Sequence, residues 1–421
     1  MPFLMPFFNT FNEIIGGKKM ANFSLTNAKE VKNDEFYTQL SDIQAELNNY
    51  ADKFKDKVVF CNCDDPFESN FVKYFLMNFN RLGLKELIST GYKTSHIGGV
   101  EFGTVNTPYV LRVTDTSKYL IGTQKDLDVR GAKYFLDTEG EKIMTPLIGN
   151  SALDENGEQI QISVKVEVID ENGNIVLDKK GNPKKKTVKQ DLYYEAGDFR
   201  SDMSLALLKK ADIVCTNPPF SLFREYVELL IKYDKQFLIL GNMNAITYKE
   251  FFPLLKENKV WLGHKCCGGG MNMIYPKNQF DASKVKKYTT DSKGNYIVNI
   301  MGVIWFTNID HNKRHQMMPL DLGFTYNGHE DMYPKYDNYD AININKVTQI
   351  PCDYTGVMGV PITFMDKYCP EQFEIIWLDG DDSNEWVGHG PLLNGNTLYR
   401  RLFIRKKQEI ENNGNENYST N

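Results

Sequence analysis

Short, near-continuous apolar runs recur along this chain at the ends of segments with helical spacing. They are Lys57-Val58-Val59-Phe60-Cys61, Glu86-Leu87-Ile88-Ser89-Thr90, Asp212-Ile213-Val214-Cys215, Gln236-Phe237-Leu238-Ile239-Leu240, Val260-Trp261-Leu262 and Met301-Gly302-Val303-Ile304-Trp305-Phe306. Between them, Phe71 to Leu82, Met203 to Lys210 and Phe223 to Tyr233 place apolar residues on one helical face. Runs with no polar alternation suit strands covered on both faces, and their alternation with helices predicts an α/β fold with a mostly parallel, doubly wound sheet. In such a sheet ligands gather at the carboxyl ends of the strands.

The stretch from about Lys93 to Tyr193 breaks the alternation. Gln161 to Ile169 alternates with period two and meets the turn signal Glu171-Asn172-Gly173-Asn174, and a second turn follows at Lys180-Gly181-Asn182-Pro183. The expected organisation is a leader over 1–30, a core over 31–92 and 193–309, an inserted β-rich lobe over 93–192, an irregular aromatic-rich C-terminal lobe over 310–407 and a polar, disordered tail over 408–421. No internal repeat is read from the sequence.

Composition narrows the class. With 421 residues, 41 % hydrophobic and 25 % charged, the chain has the make-up of a globular protein of two or three domains rather than a disordered or fibrous one. Its 55 acidic and 49 basic residues leave a net charge of −6, so a polyanion would have to be gripped by local basic patches. The 7 cysteines are odd in number and none shows CxxC spacing, which favours a reducing cytoplasm over disulfides or zinc. The apolar start, Met1 to Phe8, has no basic residue before it and is broken by Pro2 and Pro6, unlike a signal peptide. No run approaches the ~18 apolar residues of a membrane span.

The most informative segment is Asp212-Ile213-Val214-Cys215-Thr216-Asn217-Pro218-Pro219-Phe220. Two successive prolines hold φ and supply no N–H, so the strand must stop and leave the carbonyls near Asn217 and Pro218 pointing outward. A carbonyl beside an amide oxygen is a ready acceptor pair for an amino group, and Phe220 offers a flat face to a planar ring. An ordinary proline turn is the plainer reading. Its place between a buried strand and a helix favours chemistry.

This segment resembles the hallmark of amino-group methyltransferases that use S-adenosylmethionine, (Asn/Asp/Ser)-Pro-Pro-(Tyr/Phe). The resemblance implies that Asn217 and Pro218 accept hydrogen bonds from the amine, with Pro219 shaping the turn and Phe220 stacking on the base. It also implies a cofactor pocket earlier in the chain. Asp64-Asp65-Pro66-Phe67 with Asn70-Phe71 matches part of the family's first loop, without its glycines, and Tyr37-Thr38 resembles the segment that closes over the cofactor. Gly197-Asp198-Phe199 implies an acceptor for the cofactor's adenine amine and an aromatic on its ring. After the second strand, Ser89-Thr90-Gly91-Tyr92 offers no acid for the ribose.

The glycine-free loop Cys61-Asn62-Cys63-Asp64-Asp65-Pro66, with Ser69-Asn70-Phe71, resembles the EcoRI-type adenine-specific DNA methyltransferases. The resemblance continues through Asn242 to Glu250, Lys259 to Gly263 and Gly359 to Phe364. It implies methyl transfer to the 6-amino group of adenine in a specific duplex sequence, after the base is flipped out of the stack. Double-stranded DNA is then the partner, met through Lys179, Lys180, Lys184, Lys185, Lys186 and Lys189 in the inserted lobe and Arg400, Arg401 and Arg405 near the C-terminus. His311 to His315 is a weaker basic group. A bacterial or phage-encoded cytoplasmic monomer, with or without a restriction endonuclease sharing its site, completes the expectation.

Two alternatives stay open at this stage: methylation of an amide or amine in protein or RNA, and a nucleic-acid-binding relative without catalysis. Gly268-Gly269-Gly270 lacks the rest of a phosphate loop, Asp379-Gly380-Asp381-Asp382 lacks the rest of a calcium loop, and the scattered histidines suggest no metal.

Overall fold

The computed structural model describes residues 37–66, 69–91, 108–114, 144–146, 149–154, 156–170, 174–195, 197–265, 270–275, 287–291, 294–320, 323–379 and 390–407. The expected leader over 1–30 and tail over 408–421 lie outside the described residues, as do Phe67, Gly268, Gly269 and Gly380 to Asp382. The chain divides into two compact units, one of residues 1–33, 58–80 and 85–211 and one of 34–57, 81–84 and 212–421.

In the first unit the buried strand Val58–Cys61 pairs in parallel with Glu86–Gly91, from Val58 opposite Glu86 to Cys61 opposite Ser89. The helix Asn70–Leu82 joins them and buries Phe71, Phe75 and Phe79 at spacings of one helical turn, together with Val72 and Leu76. Two strands from the stretch 93–192, Tyr109–Val113 and Met144–Pro146, extend this sheet antiparallel. Among the described residues the sheets are therefore mixed, with parallel pairing limited to a few strands.

The period-two run predicted over 161–169 is a strand, Gln161–Glu167, paired antiparallel with Lys185–Asp191 from Gln161 opposite Asp191 to Glu167 opposite Lys185. Each end of this arm is closed by a ring of three backbone hydrogen bonds. At one end Ala152 N–H donates to Leu192 O (2.8 Å), Leu192 N–H to Ile160 O (2.8 Å) and Ile160 N–H to Ala152 O (3.0 Å). At the other, Val168 N–H donates to Lys184 O (2.8 Å), Lys184 N–H to Val176 O (2.7 Å) and Val176 N–H to Val168 O (2.8 Å). Three segments thus meet at each junction without leaving those groups unpaired.

Contrary to the sequence reading, a repeated element is present. Asp154, Asp170, Asp178 and Asp291 each open a tight turn in which the Asp N–H donates to the carbonyl four residues on, in Glu158, Asn174, Asn182 and Asn295. In each the Asp Oδ1 accepts a backbone N–H from that same residue, at 2.8–3.0 Å. Gly157, Gly181 and Gly294 take φ of 80°, 82° and 71° there, which only glycine adopts without strain. The repeat is a short turn unit rather than a domain, so hydrophobic periodicity does not reveal it.

In the second unit Ile213–Thr216 pairs in parallel with Gln236–Asn242, and Val303–Thr307 then Trp261–Leu262 follow antiparallel. The apolar run that starts at Met301 in sequence becomes strand only from Val303, because Gly302 sits at φ 76° in the preceding turn. A second sheet holds Tyr37–Thr38, Met271–Tyr275, Tyr296–Ile300 and Thr289–Thr290 in that spatial order. The stretch expected to be irregular from residue 310 contains a four-stranded sheet. Ile342–Asn343 runs parallel to Met358–Pro361, which pairs antiparallel with Arg401–Lys406, itself antiparallel to Phe373–Leu378. Its aromatic richness is a core: Phe403 stacks on Trp377 at 4.7 Å between ring centres and meets Tyr339 at 4.8 Å.

Candidate active site

Strand Ile213–Thr216 is buried at every position and ends at Asn217, which is half-buried, and Pro218, which is buried. Pro219, at φ −56° and ψ 123°, turns the chain into the short 3-10 turn Phe220–Leu222, where Leu222 N–H donates to Pro219 O (3.0 Å). Helix Phe223–Lys232 begins at once. Its first residue is the anchor: the Phe223 ring lies 5.6 Å from Phe251 and 5.2 Å from Phe306. Gly241, on strand Gln236–Asn242, makes room for it, since a Cβ there would run into the Phe223 ring. The turn is therefore held from behind by packing.

The loop after Val58–Cys61 is held differently. Ser69 Oγ donates to Asp64 Oδ1 (2.7 Å) and accepts from Phe71 N–H (3.0 Å). Ser89 Oγ donates to the Asp64 carbonyl (2.6 Å), Thr90 Oγ1 to the Asn62 carbonyl (3.0 Å), and Ser69 N–H to the Asp65 carbonyl (2.9 Å). Asp64, Pro66 and Phe71 are buried, whereas Asp65 and Asn70 are half-buried. Ser89 and Thr90, which supply no acid, serve this loop through their hydroxyls. Asp64 is thus engaged in holding the loop.

Tyr37 and Thr38 form a strand, with Tyr37 opposite Ile274 and Thr38 opposite Met273, and Gln39 Nε2 donates to Asn272 O (2.7 Å). The helix Leu40–Leu47 follows directly. Gln39 is the N-cap, its carbonyl accepting from Asp42 and Ile43 N–H, because sheet pairing claims the residues before it. That helix carries a residue the sequence does not single out. Glu46 is fully buried and accepts from His264 N–H (2.6 Å), Lys265 N–H (2.6 Å) and Tyr50 Oη (2.9 Å). Burial pushes its carboxyl up to about 7, against these three hydrogen bonds, which favour the anion.

Asp198 follows Gly197, at φ 84°, in a turn that precedes helix Asp202–Lys210. Arg200 grips it at both oxygens, Nε to Oδ1 at 2.9 Å and a terminal nitrogen to Oδ2 at 2.7 Å. The same guanidinium lies 4.6 Å over the Tyr194 ring and 5.0 Å from Phe199. The Asp198 carboxylate is thus paired with a cation that itself lies over two aromatic rings. Arg200, two residues after Asp198, is the functional candidate missed in the sequence.

Of the basic candidates, Lys179, Lys180, Lys184, Lys185, Lys186 and Lys189 are all exposed on the arm. Lys186 opposes Val166 while Lys185 opposes Glu167 and Lys189 opposes Ser163, so the lysines divide between its two faces. The arginines are more engaged. Arg400 donates to Thr247 O (3.1 Å), Arg401 to Asn343 Oδ1 (3.4 Å), and Arg405 lies 3.8 Å from Glu374. Arg400 also lines a cavity of about 220 Å³ with Arg224, Tyr248, Lys249 and Glu250, in which the Arg224 guanidinium stacks 4.3 Å over the Tyr248 ring. Arg314 stacks at 3.9 Å over Trp261, and Lys313 pairs with Asp366 at 2.6 Å, so the 311–315 group is largely tied into the fold. Among the described residues no group of three or more His, Cys, Asp or Glu side chains is placed to hold a metal, and no helix is long and apolar enough to cross a membrane.

Comparison with known proteins is consistent along nearly the whole chain. The family model of the adenine-specific methyltransferase EcoRI matches residues 24–420. The Type II methyltransferase M.EcoRI of Escherichia coli is 42 % identical over 93 % of this chain and 98 % of its own. M.MgeORF184P of Mycoplasma genitalium is 34 % identical over 90 % and 98 %, and M.MpnI of Mycoplasma pneumoniae 32 % over 91 % and 98 %. No solved structure matches.

Proposed function

We propose how a chain that belongs to the EcoRI family of adenine-specific methyltransferases carries out its reaction. It is an adenine-specific DNA methyltransferase. The observation that carries the finer reading is the buried strand Ile213–Thr216 running into Asn217-Pro218-Pro219-Phe220, with Phe223 packed behind the turn. In this reading the Asn217 side-chain oxygen and the Pro218 carbonyl accept the two hydrogens of the adenine 6-amino group. Phe220 stacks on the base, and Pro219 sets the angle of the turn. Fixing the amine in this way is chiefly a matter of orientation, which can supply several kcal/mol of a transfer barrier.

The methyl donor of the reading is S-adenosylmethionine, which supplies an electrophilic methyl group on a sulfonium. The residues fit it in part. Asp198 offers acceptors, and its partner Arg200 lies over the Tyr194 and Phe199 rings, which brings together the kinds of group an adenine amine and its ring require, while Asp65 and Asn70 are half-buried in the loop after Val58–Cys61 and at the start of the helix that follows it. Asp64 and Phe71 support that loop through Ser69, and Tyr37 and Thr38 contribute from the edge of their own sheet. The parallel pairs Val58–Cys61 with Glu86–Gly91 and Ile213–Thr216 with Gln236–Asn242 belong, in this reading, to a Rossmann-like sheet.

The target adenine is flipped out of duplex DNA at a cost of a few kcal/mol. The inserted stretch 93–192 and the C-terminal stretch 310–407 hold the distorted duplex, the first through its lysines and the second through Arg400, Arg401 and Arg405. The protein acts as a monomer, alone or beside a restriction endonuclease of the same specificity. Incubation with methyl-labelled S-adenosylmethionine and separate DNA, RNA and protein substrates tests the reading. N6-methyladenine in duplex DNA is the expected product, and label in RNA or protein alone would overturn it.

A further inference from the structure

The arm built on Gln161–Glu167 and Lys185–Asp191 does not end in a single turn. Beyond the ring at Val168, Val176 and Lys184 it forks into two tight hairpins, opened by Asp170 and Asp178. Each carries an apolar cross-strand pair beside its turn: Ile169 opposite Ile175 and Leu177 opposite Pro183. These side chains face solvent, with Ile169 at 54 %, Ile175 at 49 % and Leu177 at 57 % exposure, and Pro183 is exposed as well. Scattered exposed aliphatics need no explanation, but a cluster at the tip of a β-arm is an invitation to association unless a partner covers it.

The surroundings say which partner. Lys179, Lys180, Lys184, Lys185 and Lys186 lie in or next to the fork, and Lys189 lies further along the arm. Among the described residues the acids there are Glu167, Asp170 and Asp178. Glu167 sits opposite Lys185, and Asp170 and Asp178 spend one carboxylate oxygen each on backbone N–H groups of their own turns. The free charge of the fork is therefore positive while its tips are apolar. A two-stranded ribbon fits the major groove of B-form DNA, about 12 Å wide, where the apolar features on offer are thymine methyl groups and the walls are phosphates.

Resting on the methyltransferase reading above, we propose that the forked tip of the arm inserts into the major groove of the substrate duplex. Ile169, Ile175 and Leu177 make apolar contact with base edges, and the lysines of the fork hold the flanking phosphates. The two contributions separate by salt, because phosphate contacts release counterions and apolar contacts do not.

The test is duplex affinity across a salt series for the wild type, for Ile169→Thr/Ile175→Thr/Leu177→Thr, and for Lys179→Ala/Lys180→Ala/Lys184→Ala. Threonine keeps the β-branched shape of the two isoleucines and gives position 177 a side chain equally suited to a strand. The threonine variant is expected to bind about tenfold more weakly at every salt concentration with an unchanged slope. The lysine variant should show a shallower slope, by about one unit for each phosphate it no longer grips. A duplex with uracil in place of thymine should weaken the wild type more than the threonine variant. Unchanged affinity in the threonine variant would overturn the proposal. So would a wild type that self-associates in sedimentation while its threonine variant is monomeric and binds DNA normally, which would make the tips a contact between copies. If the wild type methylates no DNA at all, the functional reading itself has failed. If it methylates DNA and the tips prove irrelevant, only the arm assignment falls.

Discussion

Two loops leave buried four-residue strands in this protein and are secured by opposite means. The loop after Val58–Cys61 is knitted by side-chain hydrogen bonds, with Ser69 bridging Asp64 and Phe71 and with Ser89 and Thr90 reaching across from the neighbouring strand. The turn after Ile213–Thr216 is set by two prolines and an aromatic wedge, Phe223 against Phe251 and Phe306. Glycine, absent from the first loop where related methyltransferase patterns place it, is used behind the second, where Gly241 admits the wedge. A loop held by its own polar groups can adjust by exchanging partners, whereas a turn held by ring packing keeps one shape. The first suits a pocket that closes on a ligand, and the second suits a pair of acceptors that must not move.

The largest expected effect breaks the chemistry and leaves the architecture. Asn217→Ala should reduce methyl transfer by about a hundredfold or more, as losing one oriented polar group does in other active sites, while cofactor and DNA affinities stay near those of the wild type. Near-normal turnover would remove Asn217 from its assigned role.

Gly241→Ala tests the wedge. The new methyl group must displace the Phe223 ring, at a cost of about 1–3 kcal/mol measured by denaturant unfolding. Transfer rate should fall with it even at saturating substrates, because the turn moves. Full activity in a folded Gly241→Ala protein would show that the ring does not hold the turn.

Ser69→Ala tests the knitted loop and should cost less, about 1–2 kcal/mol, by leaving the Asp64 carboxylate and the Phe71 N–H without their shared partner. Here cofactor affinity should drop while the rate at saturating cofactor is retained. A fall in that saturated rate with affinity intact would reverse the division of labour between the two loops.

Much of this was legible in the chain. The runs around Val58, Leu87, Val214 and Leu238 became strands because they are apolar, too short for a helix and rich in β-branched residues, and the Asn-Pro-Pro-Phe turn lies where two prolines must end one. The period-two segment at Gln161 became an arm strand for the same kind of local reason. The C-terminal sheet was hidden, since Met358–Pro361 and Phe373–Leu378 are short and their partner Arg401–Lys406 mixes charged with apolar residues. The pairing of Arg200 with Asp198 was hidden too, although the two stand only two positions apart, because sequence spacing in a turn does not say which way a guanidinium folds.

What the sequence determined by itself is the set of places where the backbone has no choice: buried strands, proline stops, and the turn marked by Gly181. What only the tertiary structure decided is which polar side chains are spent on the fold. Asp64, Glu46 and Arg400 look as available in the sequence as the arm lysines, yet each is bound to a partner well separated from it in the chain or lodged within its own loop. Hydrogen bonding is short-ranged and directional, so the use of a polar group depends on what is folded against it. Apolar burial and proline geometry act locally and can be read before the chain folds.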